Sequence, residues 1–255
     1  MPTPAAADKL KQFFQEVGDL SDLTLRAVLG IFSKPFYYRE FTTQMDRIGV
    51  GSLFIVLLTG LFTGMVMALQ ALLQLKPFAA TSLVGGMVGA VMVKELGPVL
   101  CALMVTGRVG SAISAELGTM VVTEQIDAMR VEGTDIVKRL ITSRLKAILV
   151  TLPLLTVITD AIALFGGYLM AAGEVNPIMY RQSIPQFMIP LDFIEGLVKP
   201  AIFGCIIAMV GCHAGLSTRG GAEGVGSSAK RAVVVTSVLI LVTDFFVAKI
   251  FIAFR

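Results

Sequence analysis

Two adjacent charges interrupt a long apolar run in this chain: Lys94 and Glu95, within VGGMVGAVMVKELGPVLCALMV. An ionised group at the bilayer centre costs about 2.5–3.5 kcal/mol on an insertion scale unless it faces protein or water, so the pair marks a polar route or an internal site. Glu195 and Lys199 are one helical turn apart in another apolar stretch and can pair directly. Asp160 and Asp244 sit midway along two more. Such groups can border a polar route, relay a proton or sodium ion, or pair with one another to fix helix packing. Burying an ion pair does not by itself stabilise a fold, which favours a functional reading. No nucleophile–base pair can be assembled around a single histidine, so catalysis is not expected of this chain. Cys205, Cys212 and His213 lie in an apolar stretch without carboxylate partners, so no metal site is expected. Three cysteines make no even-numbered disulfide framework.

The elements that must position these charges are membrane helices. Of 255 residues, 55% are hydrophobic and only 15% charged, with a mean hydropathy of +0.82; a soluble domain carries about 25% charged residues. The net charge of +3 is small, and no nucleic-acid partner is expected. About 20 apolar residues cross the hydrocarbon core. Five stretches qualify: Ile48–Leu75, Phe78–Thr106, Ala147–Ala172, Phe193–Leu216 and Ala232–Phe254. Only Lys76 and Pro77 separate the first two, which therefore form a tight hairpin. Pro98, Pro153 and Pro200 lie inside spans, and each frees a carbonyl four residues earlier. For Pro98 that carbonyl belongs to Lys94, which adds an acceptor beside the charged pair.

Lysine and arginine concentrate before span one, between spans two and three and between spans four and five; the other side holds Lys76, Arg181, Lys249 and Arg255. The bias places the N-terminus in the cytoplasm and, after five crossings, the C-terminus outside. Asp8, Glu16, Asp19 and Asp22 interrupt residues 1–47, which do not read as a cleavable signal. Leu10, Phe13, Val17, Leu20, Val28 and Ile31 recur at near-helical spacing, as in a helix lying along the membrane face, which Lys34-Pro35 ends or bends.

Continuous helix from Phe78 to Leu117 would run about 60 Å, well past the bilayer, so span two is expected to project into the cytoplasm. After Gly118, Thr119 to Val131 reads as a short helix, with Val122, Ile126 and Met129 on one face and Thr123, Glu124 and Asp127 on another; Gly133 ends it. The stretch from Gly220 to Ser228 lacks the lysine of a nucleotide-binding glycine loop and reads as a flexible cytoplasmic loop. Gly60 and Gly64, and Gly85, Gly86 and Gly89, suit close helix approach either within the chain or across a dimer seam. Met67, Gln70, Gln74 and Phe78, with Leu96, are placed to line an apolar mouth, or else to pack that face on span two.

The run ELGPVLCALMVTGRVGSAISAELGTMVVTEQIDAM, with PLLTVITD in the third span, a lysine in the fourth and LVTDFF in the last, resembles the MlaE (YrbE) family of ABC-transporter permeases over nearly the whole chain. The resemblance implies an all-α polytopic protein with an interfacial N-terminal segment (1–47) and a five-helix permease domain (48–255). It further implies a homodimer moving phospholipids between the inner and outer membranes of a Gram-negative envelope. Expected partners are a cytoplasmic ATPase pair that uses ATP and magnesium, a STAS-domain protein and a periplasmic ring of MCE-domain subunits; this chain would hold no cofactor. Lys94, Glu95, Lys199 and Asp244 match charged family positions around a central cavity. The 119–131 stretch matches the coupling helix, with Thr123, Glu124, Gln125, Ile126, Asp127 and Met129 expected at the ATPase. An ion-coupled transporter using Glu95, Asp160 and Asp244, or a membrane anchor that recruits partners, are the alternatives from other classes.

Overall fold

The computed structural model describes residues 4–31, 33 and 37–253, with side chains from residue 14 onward; the side chains of Leu10 and Phe13, and residues Lys34, Pro35, Phe254 and Arg255, lie outside that description. The described residues form ten α-helices, and five helical segments are long and apolar enough to cross a membrane. α1 (Pro4–Gly30) precedes α2 (Tyr38–Leu75), the first spanning helix. Two short 3-10 turns, Lys76–Phe78 and Thr81–Leu83, make the tight hairpin that the Lys76-Pro77 spacing predicts. The second span is a composite. α3 (Val84–Val91), α4 (Gly97–Val105) and α5 (Ser111–Val122) run on through π-helical turns at Met92–Leu96 and Thr106–Gly110. α6 (Gln125–Val131) follows, then a third π turn at Val137–Thr142 leads into α7 (Ser143–Ala171). α8 (Pro177–Ser183), α9 (Pro190–Leu216) and α10 (Gly221–Ala253) complete the bundle.

Helix ends differ by a few residues from the apolar stretches at Ser143 and Pro190, and by more at three places. α2 starts at Tyr38 rather than Ile48, because residues 38–47 continue the helix below its apolar part. The break before the coupling segment falls at Thr123-Glu124, not at Gly118. Gly118 lies within α5, and Thr218 packs where a side chain would project. Glu124 makes the turn with a φ of 58°, a left-handed conformation that non-glycine residues rarely adopt. Thr119–Val122 therefore finishes the long helix, and the separate helix is only Gln125–Val131. Finally, the glycine-rich stretch is not a loop. Gly220 and Gly221 turn the chain at φ values of 91° and 68°, and residues from Gly221 onward are the first turns of α10. Ser228 holds them to the bundle by accepting from the Thr218 hydroxyl at 2.9 Å.

α2 buries a face of Ile48, Ser52, Val56, Gly60, Gly64 and Ala68, one residue per turn, against α7. A side chain on Gly60 would meet Thr159 and Ile162, and one on Gly64 would strike the Ala163 backbone. Gly166 and Gly167 on α7 face Leu61 and Gly64 in return. The GxxxG of span one thus serves packing within the chain. Gly85 and Gly86 likewise seat α3 on Tyr180, Ser183 and Phe187. Burial pushes the Tyr180 phenol up to about 12, so it stays protonated and donates to the Leu164 carbonyl at 3.1 Å.

The basic segments meet at one end of the bundle, where Arg47 pairs with Glu116 and Arg231 with Glu16. α1 docks there through Ala27, whose carbonyl accepts from Thr142, with Leu20, Leu23 and Ile31 against the core. Phe14, Val17, Leu25 and Leu29 remain exposed on α1. The apolar interior is in two parts. One, around Ile48, Leu145 and Phe203, occupies the basic end; the other, around Ala68, Val88 and Ala163, lies by the hairpin. Along α3–α4 the first ends at Val99 and the second at Met92; along α7 they end at Leu155 and Ala163. Lys94, Glu95, Thr156, Thr159 and Asp160 fall in the gap between. A polar layer therefore crosses the bundle inside its apolar depth.

A candidate charge cluster and coupling tip

Lys199 organises that layer. It lies nine residues into α9, about 14 Å along the helix axis, and is completely buried. Its ammonium approaches Glu95 Oε2 at 2.7 Å, Glu195 Oε1 at 2.9 Å and Asp244 Oδ1 at 3.3 Å, and donates to the Lys94 carbonyl at 2.8 Å. The last contact is the acceptor that Pro98 frees, since proline has no N–H to return to Lys94. The π turn at Met92–Leu96 carries both Lys94 and Glu95. Gly196 lets α9 come close enough, because any side chain there would press on the Val93 carbonyl. One cation thus ties α9, α10 and the α3–α4 junction together.

Lys94 and Glu95 do not pair with each other. Successive helical side chains diverge by about 100°, and Lys94 turns instead to Asp192 at 2.9 Å and the Phe187 carbonyl at 3.3 Å. Asp192 was not singled out from the sequence. The signal was available: it sits three residues before Glu195 on the same helical face, in the first turn of α9, where it also caps the Ile189 N–H at 2.9 Å. Four carboxylates consequently face two ammonium groups. An ammonium has three hydrogens to donate, and Lys199 already has four oxygens in reach. A phosphate at Lys199 would have to displace one of them. Glu95 is the accessible member, with its side chain 43% exposed.

Asp160 stands apart. Its Oδ1 is buried without a hydrogen-bond partner among the described residues, against Gly97 rather than near Lys199. Glu95 and Asp244 share Lys199, but Asp160 forms no ion pair with a cation among the described residues. Met67 and Leu96 are half-buried and pack on the hairpin-side core, whereas Gln70 and Gln74 are exposed on one face of α2 and Phe78 is exposed on the turn. The two amides therefore do not pack on span two.

At the basic end, α6 projects beyond the spans. Thr123, Glu124, Gln125 and Asp127 are exposed and Met129 is half-buried, but Ile126 is buried and anchors the helix inward, so it is not available to a partner. Val131, unmarked in the sequence reading, is 89% exposed at the helix end. Gly133, at φ 75°, closes the helix as expected, with Thr134 N–H bonded to the Met129 carbonyl.

This arrangement can be set beside known proteins. The family model for permease MlaE matches residues 41–250. The chain belongs to the MlaE permease family. The match takes in α6 and all but the outermost three residues of the first and last membrane-crossing helices. A probable ABC transporter permease protein of Rickettsia conorii is 40% identical over 242 residues, covering 94% of this chain and 93% of that one. The intermembrane phospholipid transport system permease protein MlaE of Haemophilus influenzae is 31% identical, covering 96% and 95%. The Arabidopsis thaliana chloroplastic protein trigalactosyldiacylglycerol 1 is 35% identical over 89% of this chain and 65% of its own length. This MlaE-family permease is an integral membrane protein whose charged layer lies within its spans.

Proposed function

We propose that this permease is the membrane subunit of an ABC transporter that moves phospholipid, acting as a homodimer driven by a separate ATPase pair. The observation that carries the reading is mechanical: one composite helix, Thr81–Val122, holds Glu95 within the apolar depth and ends at the exposed α6 tip. At 42 residues it extends about 63 Å, roughly twice the hydrocarbon thickness. The names of the Haemophilus and Arabidopsis relatives, one for phospholipid transport and one for a glycolipid, support lipid as cargo. In this reading the basic end is cytoplasmic, the C-terminus is periplasmic and the protein sits in the inner membrane of a Gram-negative envelope. A STAS-domain protein accompanies the ATPase, and an MCE-domain ring receives or delivers lipid on the far side.

ATP-driven closure of the ATPase pair pushes on both α6 helices through Glu124, Gln125, Asp127 and Met129. The push passes along α5 and α4 to the π turn and shifts Glu95 against Lys199. The exposed apolar face of α2, including Val50, Phe54, Phe62, Val66 and Leu73, and that of α10, including Val238, Phe245 and Ile252, supply surface for lipid tails and the second copy. Gln70, Gln74 and Phe78 line the mouth, and Lys94, Lys199 and Asp244 hold the charged layer in register.

Replacing Asp127 with lysine tests the coupling. Asp127 is exposed and, among the described residues, pairs only with exposed Arg130, so stability should change by less than about 1 kcal/mol. Lipid transfer between vesicles by the reconstituted complex should fall at least tenfold, and lipid should no longer stimulate ATP hydrolysis. Transfer at the parental rate would reject the assignment. Glu95→Gln should slow transfer about tenfold, since a hydrogen bond to a charged group is worth about 1.5–3 kcal/mol, while the complex still purifies intact. Loss of assembly would instead make Glu95 a packing residue.

A further inference from the structure

A second charged site lies at the basic end, away from the Lys199 cluster. Between α2, α5, α6 and α7 is a cavity of about 400 Å³ lined by Arg39, Arg47, Arg139 and Arg144 against Glu40 and Glu116. The carboxylates do not neutralise it. Glu116 is shared between Arg47 at 3.3 Å and Arg144 at 2.9 Å, and Glu40 serves Arg139 at 3.4 Å. Arg39 has no carboxylate partner among the described residues. Arg144 is only 2% exposed, and its Nε is buried with no hydrogen-bond partner among them. A buried, unpaired donor on a cation is a costly thing to leave unmet. Four planar guanidinium groups around one open cavity have the fork geometry that phosphate oxygens match.

We propose that this cavity binds a phosphate-class anion, and that its natural source is the phosphate of an anionic lipid in the adjoining leaflet. Depth on α2 favours the lipid source. Arg39 and Arg47 precede the apolar run that begins at Ile48, and Val50 and Phe54 just beyond are exposed on the spanning part of α2. The arginines therefore sit where headgroups lie. Met129 of α6 lines the same cavity, so an occupant would brace the coupling tip against α2 and α7. The inference is independent of what the transporter carries; only the leaflet's identity as cytoplasmic rests on the reading above.

The test titrates the purified full-length protein, in neutral detergent, with phosphatidylglycerol, phosphatidylcholine and inorganic phosphate, read by native mass spectrometry and calorimetry. One phosphatidylglycerol per chain should be retained in preference to phosphatidylcholine, and inorganic phosphate should displace it. Arg39→Gln, at a residue with no described partner, should weaken retention at least tenfold, and Arg144→Lys, which keeps charge but loses Nε, should weaken it as well. Binding of inorganic phosphate alone, lost in Arg39→Gln, would support the site with free phosphate as its source. Retention that ignores both substitutions, or no anion binding at all, would overturn it. So would an Arg39→Gln protein that binds both anions normally yet fails to capture the ATPase, because the occupant would then be a protein carboxylate. Lipid transfer by the Asp127→Lys complex reports separately on the transport reading.

Discussion

Lys199→Met should be the most damaging single substitution in the charged layer, lowering stability by about 3–5 kcal/mol. That is the cost of removing one partner from a buried ion pair and leaving the other charges unmatched. Here three carboxylates, Glu95, Glu195 and Asp244, lose their shared cation together, and the Lys94 carbonyl loses its donor. The loss appears as a lower thermal midpoint and as aggregation on gel filtration in detergent. A second substitution identifies the cause. Adding Glu195→Gln to Lys199→Met should recover part of the loss, because the two residues act through one contact and their effects are not additive. If Lys199→Met melts with the parent protein, the lysine does not clamp α9, α10 and the α3–α4 junction.

Gly64→Leu should have a comparable effect by a steric route. The α2–α7 contact is the broadest in the bundle, and Gly64 sits where even a methyl group would strike the Ala163 backbone. Backbone cannot rotate aside as a side chain can, so the helices must separate along the Gly60–Ala68 face. Overpacking of this kind costs about 1–3 kcal/mol and occasionally more, and the unyielding neighbour places this site at the upper end. Gly226→Ala is the matched control. It also lies inside a helix, nothing stands within 4 Å of the added carbon, and it should stabilise by about 0.5–1 kcal/mol. Thermal midpoints of the two variants should therefore move in opposite directions. Equal and small shifts would mean that the glycine face is not closely packed.

Several features were legible in the sequence because they are local. Pro98 announces a free carbonyl at Lys94, and the structure puts an ammonium on it. Glu195 and Lys199 are spaced to pair, and they do. Gly133 announces the end of the coupling segment. Gly118 reads as a breaker, but a glycine in a helix is equally a place where a neighbour comes close, and the separate helix starts only at Gln125. The composition of the glycine-rich 220–228 stretch signals flexibility, but the bond from Thr218 to Ser228 holds those residues against the bundle as the first turns of α10.

Length, hydropathy and charge spacing along the chain determined that five helices cross a membrane, that ionised groups lie at depth within them and that a helical tip projects at the basic end. These properties need no knowledge of neighbours, since backbone hydrogen bonding in a bilayer is satisfied within each helix. The tertiary structure alone decided which charges meet. It sent Lys94 to Asp192, gathered Glu95, Glu195 and Asp244 on Lys199, left Asp160 aside and turned Ile126 inward. Partners separated by 98 residues, as are Lys94 and Asp192, share no local pattern; only the close approach of their helices, at positions such as Gly196, brings them into contact.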